Sequence, residues 1–364
     1  GFGFGFGFSP LGALLNQTPE APTNLVLSVF NDVRIDLTWT VNATGQDGHR
    51  IYISTDNSIF TENGTVSGTT AAYSATGLTA NTLYYFRVVA YKGSTESTYV
   101  SANARSYHAE LGVYITGLVT ALSSAEKLLV NNLISSLKTG LSVTDLADFF
   151  DYLNIRAGET AEQSLRNLVA NANHSTAVNS PTFTPHEGFT GNGTSSYIEV
   201  NYKPSDGVRY TLNDASHGIY FRVFDRSGTK YNGVYGTVDD GGTFNRLTVS
   251  SFSATQIDIT INSAQKIIDN NNTSGLIIVS RTTSTGFNLY INKSKTTFTE
   301  NVTKRPNQNI TELARRSTDG TVGLFNTSQI AFSFCAKGLT DAQEAIIVDA
   351  LEAYMDAKGK GVIA

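Results

Sequence analysis

The chain has 364 residues, a length that favours two or three domains over a single core. Its 26 Lys and Arg residues against 31 Asp and Glu residues give a formal net charge of −5, so the composition indicates no basic surface for nucleic acid. Charged residues make up only 16% of the chain, and the Thr, Ser, Asn and Gly that replace them are typical of β-sandwiches with many turns. The single cysteine excludes an intrachain disulfide, and no apolar run is long enough to predict a membrane span.

The first eight residues repeat Gly-Phe four times. In a strand, alternate side chains point to the same face, so the rings would form one aromatic stripe: Phe2, Phe4, Phe6 and Phe8. An exposed stripe of this kind promotes aggregation, so we predict an anchor arm that is buried in a partner or in other copies of the chain. The alternative is a disordered Gly-rich tail. Residues 1–19 are thus predicted to be an anchor arm and its linker.

Short alternating apolar runs follow, separated by turn residues such as Asp47-Gly48 and Asn63-Gly64. They predict a small antiparallel sandwich over residues 20–107. Residues 35–39 (Ile-Asp-Leu-Thr-Trp) place an inward Trp, and residues 77–90 place Tyr84 at a strand start.

These stretches, together with Pro22-x-x-Leu25, resemble a fibronectin type III domain. The resemblance implies that Tyr84 is the tyrosine-corner residue, whose hydroxyl bonds back to the preceding loop. Ala80-Asn81 stands where the family usually has Pro-Gly. The family is a spacer or binding module and is seldom catalytic.

The apolar spacing changes to the helical period in residues 108–174, which we predict to be a helical segment. Ser123 and Glu126 fit a capping box, and Gly140 is expected to end the helix that follows. We interpret the apolar faces as core, with docking of a partner helix as the alternative.

Two further short helices are predicted in this segment. One carries the apolar residues Leu146, Phe149, Phe150 and Leu153. The other begins at Thr160, which is expected to cap it through Gln163.

Strand patterns return in residues 175–364, and a last helix closes the chain. Thr340 and Gln343 fit a capping box in front of that helix, and Gly359 is expected to follow its end. Many strands with one closing helix predict a large two-sheet jelly roll.

Four stretches of this half resemble the concanavalin A-like (laminin G-like) sandwiches of bacteriophage structural proteins: residues 177–198, 217–222, 279–293 and 323–354. Lys293 stands where the family has Gly. The expected fold class is therefore mainly β: a fibronectin type III-like sandwich plus a concanavalin A-like jelly roll, with a short helical segment between them and a C-terminal helix.

Sandwich glycosidases need two carboxylates, one to protonate the leaving oxygen and one to attack or to activate water. That spacing is absent, because Glu187, Glu199, Glu300 and Glu312 stand isolated in the sequence. The five histidines lack metal-ligand spacing, and Cys335 lies in an alternating run typical of a buried strand. We therefore predict no enzyme, no cofactor and no metal site.

A turn is expected at Asp239-Asp240-Gly241-Gly242, with a calcium site there as the alternative.

A carbohydrate site is the binding function that the residues suggest. Aromatic rings and amides in Gly-rich surroundings can stack on and hydrogen-bond a sugar, which selects Tyr231, Tyr235, Phe244 and Asn245. Ordinary sheet-edge aromatics are the alternative interpretation.

Two hypotheses of function follow from the resemblances. The first is a non-enzymatic structural component of a bacteriophage virion (a decoration, fibre or spike subunit), made in the host cytoplasm without an export signal of its own and held by the arm on capsid or tail proteins. The second is a carbohydrate-binding adhesin for host attachment. Either protein is expected to be a homo-oligomer, since virion sites are symmetric.

Overall fold

A computed structural model of the chain describes residues 18–226, 232–239 and 245–363, with the backbone alone at residues 232, 239 and 245–247. The chain divides into two compact units, residues 1–112 and residues 113–364. Both units are built mainly from antiparallel strands.

The first unit contains eight strands among its described residues: β1 (Thr23–Val29), β2 (Arg34–Thr40), β3 (Gly48–Ser54), β4 (Thr61–Ser67), β5 (Ala72–Thr76), β6 (Leu83–Lys92), β7 (Thr95–Glu96) and β8 (Val100–Arg105). They form a three-stranded sheet in the order β1-β2-β5 and a five-stranded sheet in the order β4-β3-β6-β7, with β8 also paired to β6. The predicted antiparallel sandwich is confirmed.

Alternate side chains of these strands fill the core between the two sheets. Ile35 and Leu37 on β2 meet Phe86 on β6, and all three are fully buried. Trp39 continues the buried row of β2 and packs edge-on against His49 of β3, with ring centroids 5.3 Å apart. Burial lowers the pKa of His49, so this imidazole is neutral at neutral pH.

The tyrosine corner forms as the resemblance implies. The backbone N–H of Thr79 donates to the hydroxyl oxygen of the buried Tyr84 at 2.8 Å. This bond fixes the loop before β6 against the start of that strand.

Four helices occur among the described residues: α1 (Ala109–Ile115), α2 (Ser124–Leu141), α3 (Ala161–Ser164) and α4 (Asp341–Asp356). In α4 the predicted capping box is complete, with Thr340 and Gln343 bonding each other's backbone. In α2 only half of the box forms. The Ser123 hydroxyl accepts from the Glu126 N–H at 3.1 Å, but the Ser123 N–H donates to Glu159 instead.

Gly140 does not end α2 as expected; it lies in the last turn, and Ser142 takes the left-handed C-cap conformation with φ of 56°. The reason for a glycine here is close packing of two helices. A Cβ at residue 140 would lie 2.5 Å from Cγ2 of Ile346 on α4.

The prediction of a helix across residues 146–153 is wrong. A 3₁₀ turn at Leu146–Asp148 leads into strand β9 (Phe150–Ile155), whose side chains are buried on both faces apart from the half-buried Asp151. The helix expected after Thr160 is also shorter than predicted, since α3 completes only one turn. The segment between the two predicted sandwiches therefore contributes a strand to the second one.

The second unit contains seventeen strands among its described residues: β9, β10 (Thr176–Val178), β11 (Thr182–Thr184), β12 (Gly188–Thr190), β13 (Tyr197–Glu199), β14 (Ala215–Val223), β15 (Asn232–Asp239), β16 (Asn245–Ser253), β17 (Gln256–Ser263), β18 (Lys266–Asp269), β19 (Gly275–Arg281), β20 (Gly286–Ile291), β21 (Ser294–Thr299), β22 (Thr311–Glu312), β23 (Arg315–Arg316), β24 (Val322–Gly323) and β25 (Gln329–Ala336).

These strands form two sheets. The nine-stranded sheet runs β10-β13-β22-β15-β16-β17-β18, with β23 beside β15 and β24 beside β23. The eight-stranded sheet runs β11-β12-β25-β14-β19-β20-β21, with β9 beside β25. A large apolar core lies between them, and α4 covers the other side of the eight-stranded sheet, where Tyr354 packs edge-on against Phe332. The expected fold class, mainly β with few helices and a C-terminal helix, is confirmed.

The corner bond yields a stability prediction. Tyr84→Phe is expected to destabilise the first unit by about 1 kcal/mol, because one hydrogen bond is lost while the ring stays buried. Amide hydrogen exchange of β3 and β6 in the full chain measures this. Tyr85→Phe is the matched control, since that hydroxyl bonds no described residue; equal exchange in the two variants would contradict the structural role of the corner.

Candidate functional site

Most residues of the two predicted sites lie outside the described part of the chain. This holds for the anchor residues Phe2, Phe4, Phe6 and Phe8, for Tyr231 and Phe244, and for the turn residues 240–242. Asn245 begins β16, where its backbone pairs with Asp239, and its side chain is outside the description. The anchor arm and this part of the carbohydrate cluster stay predictions.

Tyr235 is described, and its position contradicts the expected role in sugar stacking. The side chain is fully buried in the core between the two sheets. Its hydroxyl lies 2.5 Å from the hydroxyl of Tyr152 on the opposite sheet. A sugar ring therefore has no access to Tyr235, and this residue belongs to the packing of the sandwich.

Tyr235 is part of a polar cluster inside the core. The ring of His217 stacks on the Tyr235 ring with centroids 5.5 Å apart, and its Nε2 donates to the carbonyl of Thr260 at 2.8 Å. Burial lowers the pKa of His217 to about 4, so the imidazole is neutral at neutral pH. The predicted burial of Cys335 is confirmed, and burial raises the pKa of its thiol, which keeps the sulfur protonated.

A fully buried ion pair joins the two sheets beside this cluster. Arg156, just after β9, donates from Nε and Nη2 to the two carboxylate oxygens of Glu312 on β22, each at 2.9 Å. Its remaining donors reach the Ser164 carbonyl and the Ser175 hydroxyl, both at 2.8 Å. The Ser333 hydroxyl of β25 donates to Glu312 at 2.5 Å. The charges are thus neutralised inside the fold.

Two other carboxylates considered as catalytic candidates, Glu187 and Glu199, are also held by cations. Glu187 bonds Arg222 and Lys360, and the Lys360 ammonium holds the pKa of this carboxyl below its ordinary value. Glu199 pairs with Arg316. In the described ranges no group of three or more His, Cys, Asp or Glu residues could hold a metal ion. None of the described helices has the length and apolar character needed to cross a bilayer.

The exposed side of the first unit carries a different arrangement, on the outer face of the five-stranded sheet. Since Ile51, Phe86 and Val88 point into the core, the residues that alternate with them point outward. We call this surface the Arg87 face. It comprises Arg50, Tyr52, Phe60, Glu62, Tyr85, Arg87, Tyr91, Glu96, Tyr99, Ser101 and Asn103.

Arg87 lies in the middle of this face, between two aromatic rings. Its guanidinium carbon is 3.7 Å from the ring centroid of Phe60 and 4.2 Å from that of Tyr99. Such stacking fixes a guanidinium group and leaves the N–H donors in its plane. Within the described part of the chain no acceptor bonds these donors.

The second arginine of the face is stacked in the same way but has a carboxylate. The Arg50 guanidinium carbon lies 4.4 Å from the Tyr91 ring centroid, and Nη1 donates to Glu96 at 2.6 Å. The Tyr52 hydroxyl donates to the same Glu96 oxygen at 2.7 Å. This arrangement can bind a carboxylate, and the chain supplies one to Arg50.

Sequence reasoning missed the Arg87 face. The alternation of Tyr85 and Arg87 with buried residues on β6 was the available signal, since it places an aromatic ring and a cation on the outer side of one strand. The stack itself depends on Phe60 and Tyr99, which come from segments 27 and 12 residues away in the chain. Their approach to Arg87 requires the strand register, which the sequence does not state.

A family model for the fibronectin type III domain matches residues 20–103. Residues 20–103 form a fibronectin type III domain. Such domains are typically binding or structural modules rather than catalysts. No curated protein matches the chain.

Solved structures of single fibronectin type III domains are similar to this part of the chain. The crystal structure of FN3tt is 24% identical, covers 25% of this chain and 97% of its own, and has a TM-score of 0.23. The solution structure of the fn3 domain of the human collagen alpha-1(XX) chain is 20% identical, with coverage of 27% and 93% and a TM-score of 0.23. A crystal structure of the FN3 domain of human collagen XX is 22% identical, with coverage of 25% and 95% and a TM-score of 0.23.

The buried ion pair yields a prediction for the second unit. Glu312→Gln is expected to cost about 3–5 kcal/mol of stability, because it leaves the Arg156 charge buried without a counter-charge. Urea unfolding of the full chain measures the loss. Asp148→Asn is the control, since the Arg209–Asp148 pair is exposed and worth about 0–1 kcal/mol. Similar losses in both variants would contradict the account given for Glu312.

A second prediction concerns pH and Glu344, a buried residue of α4. Burial raises the pKa of its carboxyl from 4.5 to about 7, so the folded chain binds this proton more tightly than the unfolded chain does. The stability of the second unit should therefore fall as pH rises from 4.5 to 7. Above that range the destabilisation by the charged Glu344 carboxylate is fully present.

Glu344→Gln is expected to raise the unfolding temperature at pH 8 and to leave it unchanged at pH 4. Calorimetry at the two pH values tests this, with Asp356→Asn, an exposed carboxylate at the end of the same helix, as the control. A gain of the same size at both pH values would contradict the role of the charged form.

Proposed function

We propose that this chain is a non-enzymatic structural component of a bacteriophage virion, a decoration, fibre or spike subunit that its N-terminal arm holds on the particle. The observation that carries the proposal is the closed interior of the second unit. Three of its buried polar contacts close within the fold: Arg156 bonds Glu312, Tyr152 bonds Tyr235, and His217 bonds a backbone carbonyl. Such a unit serves as a rigid body for display.

The strand order supports the finer assignment of this unit to the concanavalin A-like jelly rolls. Two large sheets face each other across one core, nearly all their pairings are antiparallel, and a terminal helix packs on one sheet. The fibronectin type III domain supports a modular appendage, in which it acts as a spacer or binding module between the arm and the display body.

The arm supports attachment to other proteins. In an extended conformation the four phenylalanines of the Gly-Phe repeat would share one side and offer a large apolar area, and burial of each ring against capsid or tail proteins would contribute about 1.5–3 kcal/mol. Repeated sites on a particle favour several copies of the chain in a symmetric arrangement.

A second candidate function is a carbohydrate-binding adhesin, and the Arg87 face favours it. Tyrosine and arginine are the residues that most often dominate binding energy at recognition surfaces. The Arg87 face presents both residue types on a sheet. We therefore expect an external ligand to bind at this face and not near Tyr235.

The virion proposal predicts which changes remove the chain from particles. Particles of the encoding phage are expected to contain the chain, and replacement of Phe2, Phe4, Phe6 and Phe8 by Ser is expected to remove most of it, because the apolar contact area is lost. Mass spectrometry of purified particles measures the copy number.

The matched control replaces four exposed apolar residues of the described chain by Ser: Val26, Val119, Leu128 and Val208. If particles retain the arm variant with four Ser substitutions, the anchor role of the arm is wrong, but the virion assignment stands. Absence of the unaltered chain from particles would overturn the virion assignment.

A further inference from the structure

We propose that the Arg87 face binds a glycan through a carboxylated sugar, with Arg87 as the group that holds the carboxylate. This inference rests on the adhesin function proposed above and names the class of its ligand.

Arg87 is preorganised by its two ring contacts. Phe60 and Tyr99 both lie within stacking distance of the guanidinium carbon, at 3.7 and 4.2 Å to their ring centroids, and a stacked guanidinium keeps its N–H donors in its plane for a ligand. A side chain that is already fixed loses little conformational entropy on binding. Its planar donors match the two oxygens of a carboxylate.

Arg87 differs from two other stacked arginines of the same domain. Arg50 stacks on Tyr91 and bonds Glu96; Arg34 stacks on Phe30 and bonds Asp36. Each of these two guanidinium groups has a carboxylate from the chain. Arg87 has two ring contacts, and within the described residues it has no carboxylate. We infer that the missing carboxylate comes from a ligand.

The groups beside Arg87 suit a sugar ring. Ser101 lies opposite Arg87 and Asn103 lies opposite Tyr85 in the register of β6 and β8, and both polar side chains are exposed. Tyr99 is 51% exposed. A sugar residue offers hydroxyl groups to the first two and an apolar ring face to a tyrosine, so a carboxylated sugar fits all of these groups at once.

The charges on the Arg87 face favour a ligand whose carboxylates are spaced apart. Arg87 is the single cation of the Arg87 face, among its described residues, that has no carboxylate. Glu62 on β4 is exposed on the same side, opposite Tyr52. A chain with a negative charge on every residue would meet repulsion from Glu62, whereas a glycan with spaced carboxylates would not. The position of Glu62 thus favours a glycan over an acidic polypeptide.

The experiment titrates the purified full chain, by calorimetry, with three hexasaccharides in which a carboxylated sugar alternates with a neutral one: hyaluronan, unsulfated chondroitin and heparosan. Each has its methyl ester as a control that keeps the sugar rings and removes the charge. Hexaglutamate is the polypeptide probe. We expect saturable binding of at least one acidic hexasaccharide, weakened by about tenfold or more on esterification.

Variants of the full chain test the residue. Arg87→Gln is expected to weaken binding by about tenfold or more, and Arg87→Lys by less, because a lysine keeps the charge but not the planar donors. Arg34→Gln is the matched control, a stacked arginine on the other sheet of the same domain, and is expected to leave affinity unchanged.

The proposal fails if none of the acidic hexasaccharides binds, if Arg87→Gln binds as well as the unaltered chain, or if hexaglutamate binds as tightly as the best sugar. These outcomes are independent of the particle experiment. Binding by a chain that is absent from virions would overturn the virion assignment alone, and a virion chain that binds no acidic sugar would overturn this inference alone.

Discussion

The ion pair between Arg156 and Glu312 is the constraint on which the second unit depends. A charge without a partner in an apolar interior is costly, so the two sheets must meet in the one arrangement that brings these side chains together. Glu312 is on a central strand of one sheet, and Arg156 follows an edge strand of the other. A shift of β22 by one residue would turn Glu312 out of the core.

The tyrosine cluster follows from the same register. Tyr235 lies directly opposite Glu312 across the β15–β22 pairing, so the position that fixes the carboxylate also places the Tyr235 hydroxyl against Tyr152. His217 then stacks on the ring. Polar groups in this core specify a single packing, in addition to any stability that they contribute.

Local patterns predicted the strands of both sandwiches and the helix caps at Ser123 and Thr340, because each of these depends on residues close together in the chain. The tyrosine corner was predicted from the resemblance to the fibronectin type III family. The strand β9 was mistaken for a helix for a physical reason. Strands buried on both faces lack alternation, and the spacing of Leu146, Phe149, Phe150 and Leu153 then fits a helix equally well. The burial of Tyr235 and the stacking of Arg87 both depend on partners distant in sequence, which no local pattern reveals.

The position of Trp39 has a practical consequence. It is the only tryptophan of the chain, and it lies in the core of the fibronectin type III domain beside a neutral histidine. Indole emission therefore reports solvent entry into this domain, while the second unit contributes only tyrosine emission. The intact chain thus carries a spectroscopic label that separates the unfolding of its two units, without dissection or chemical modification.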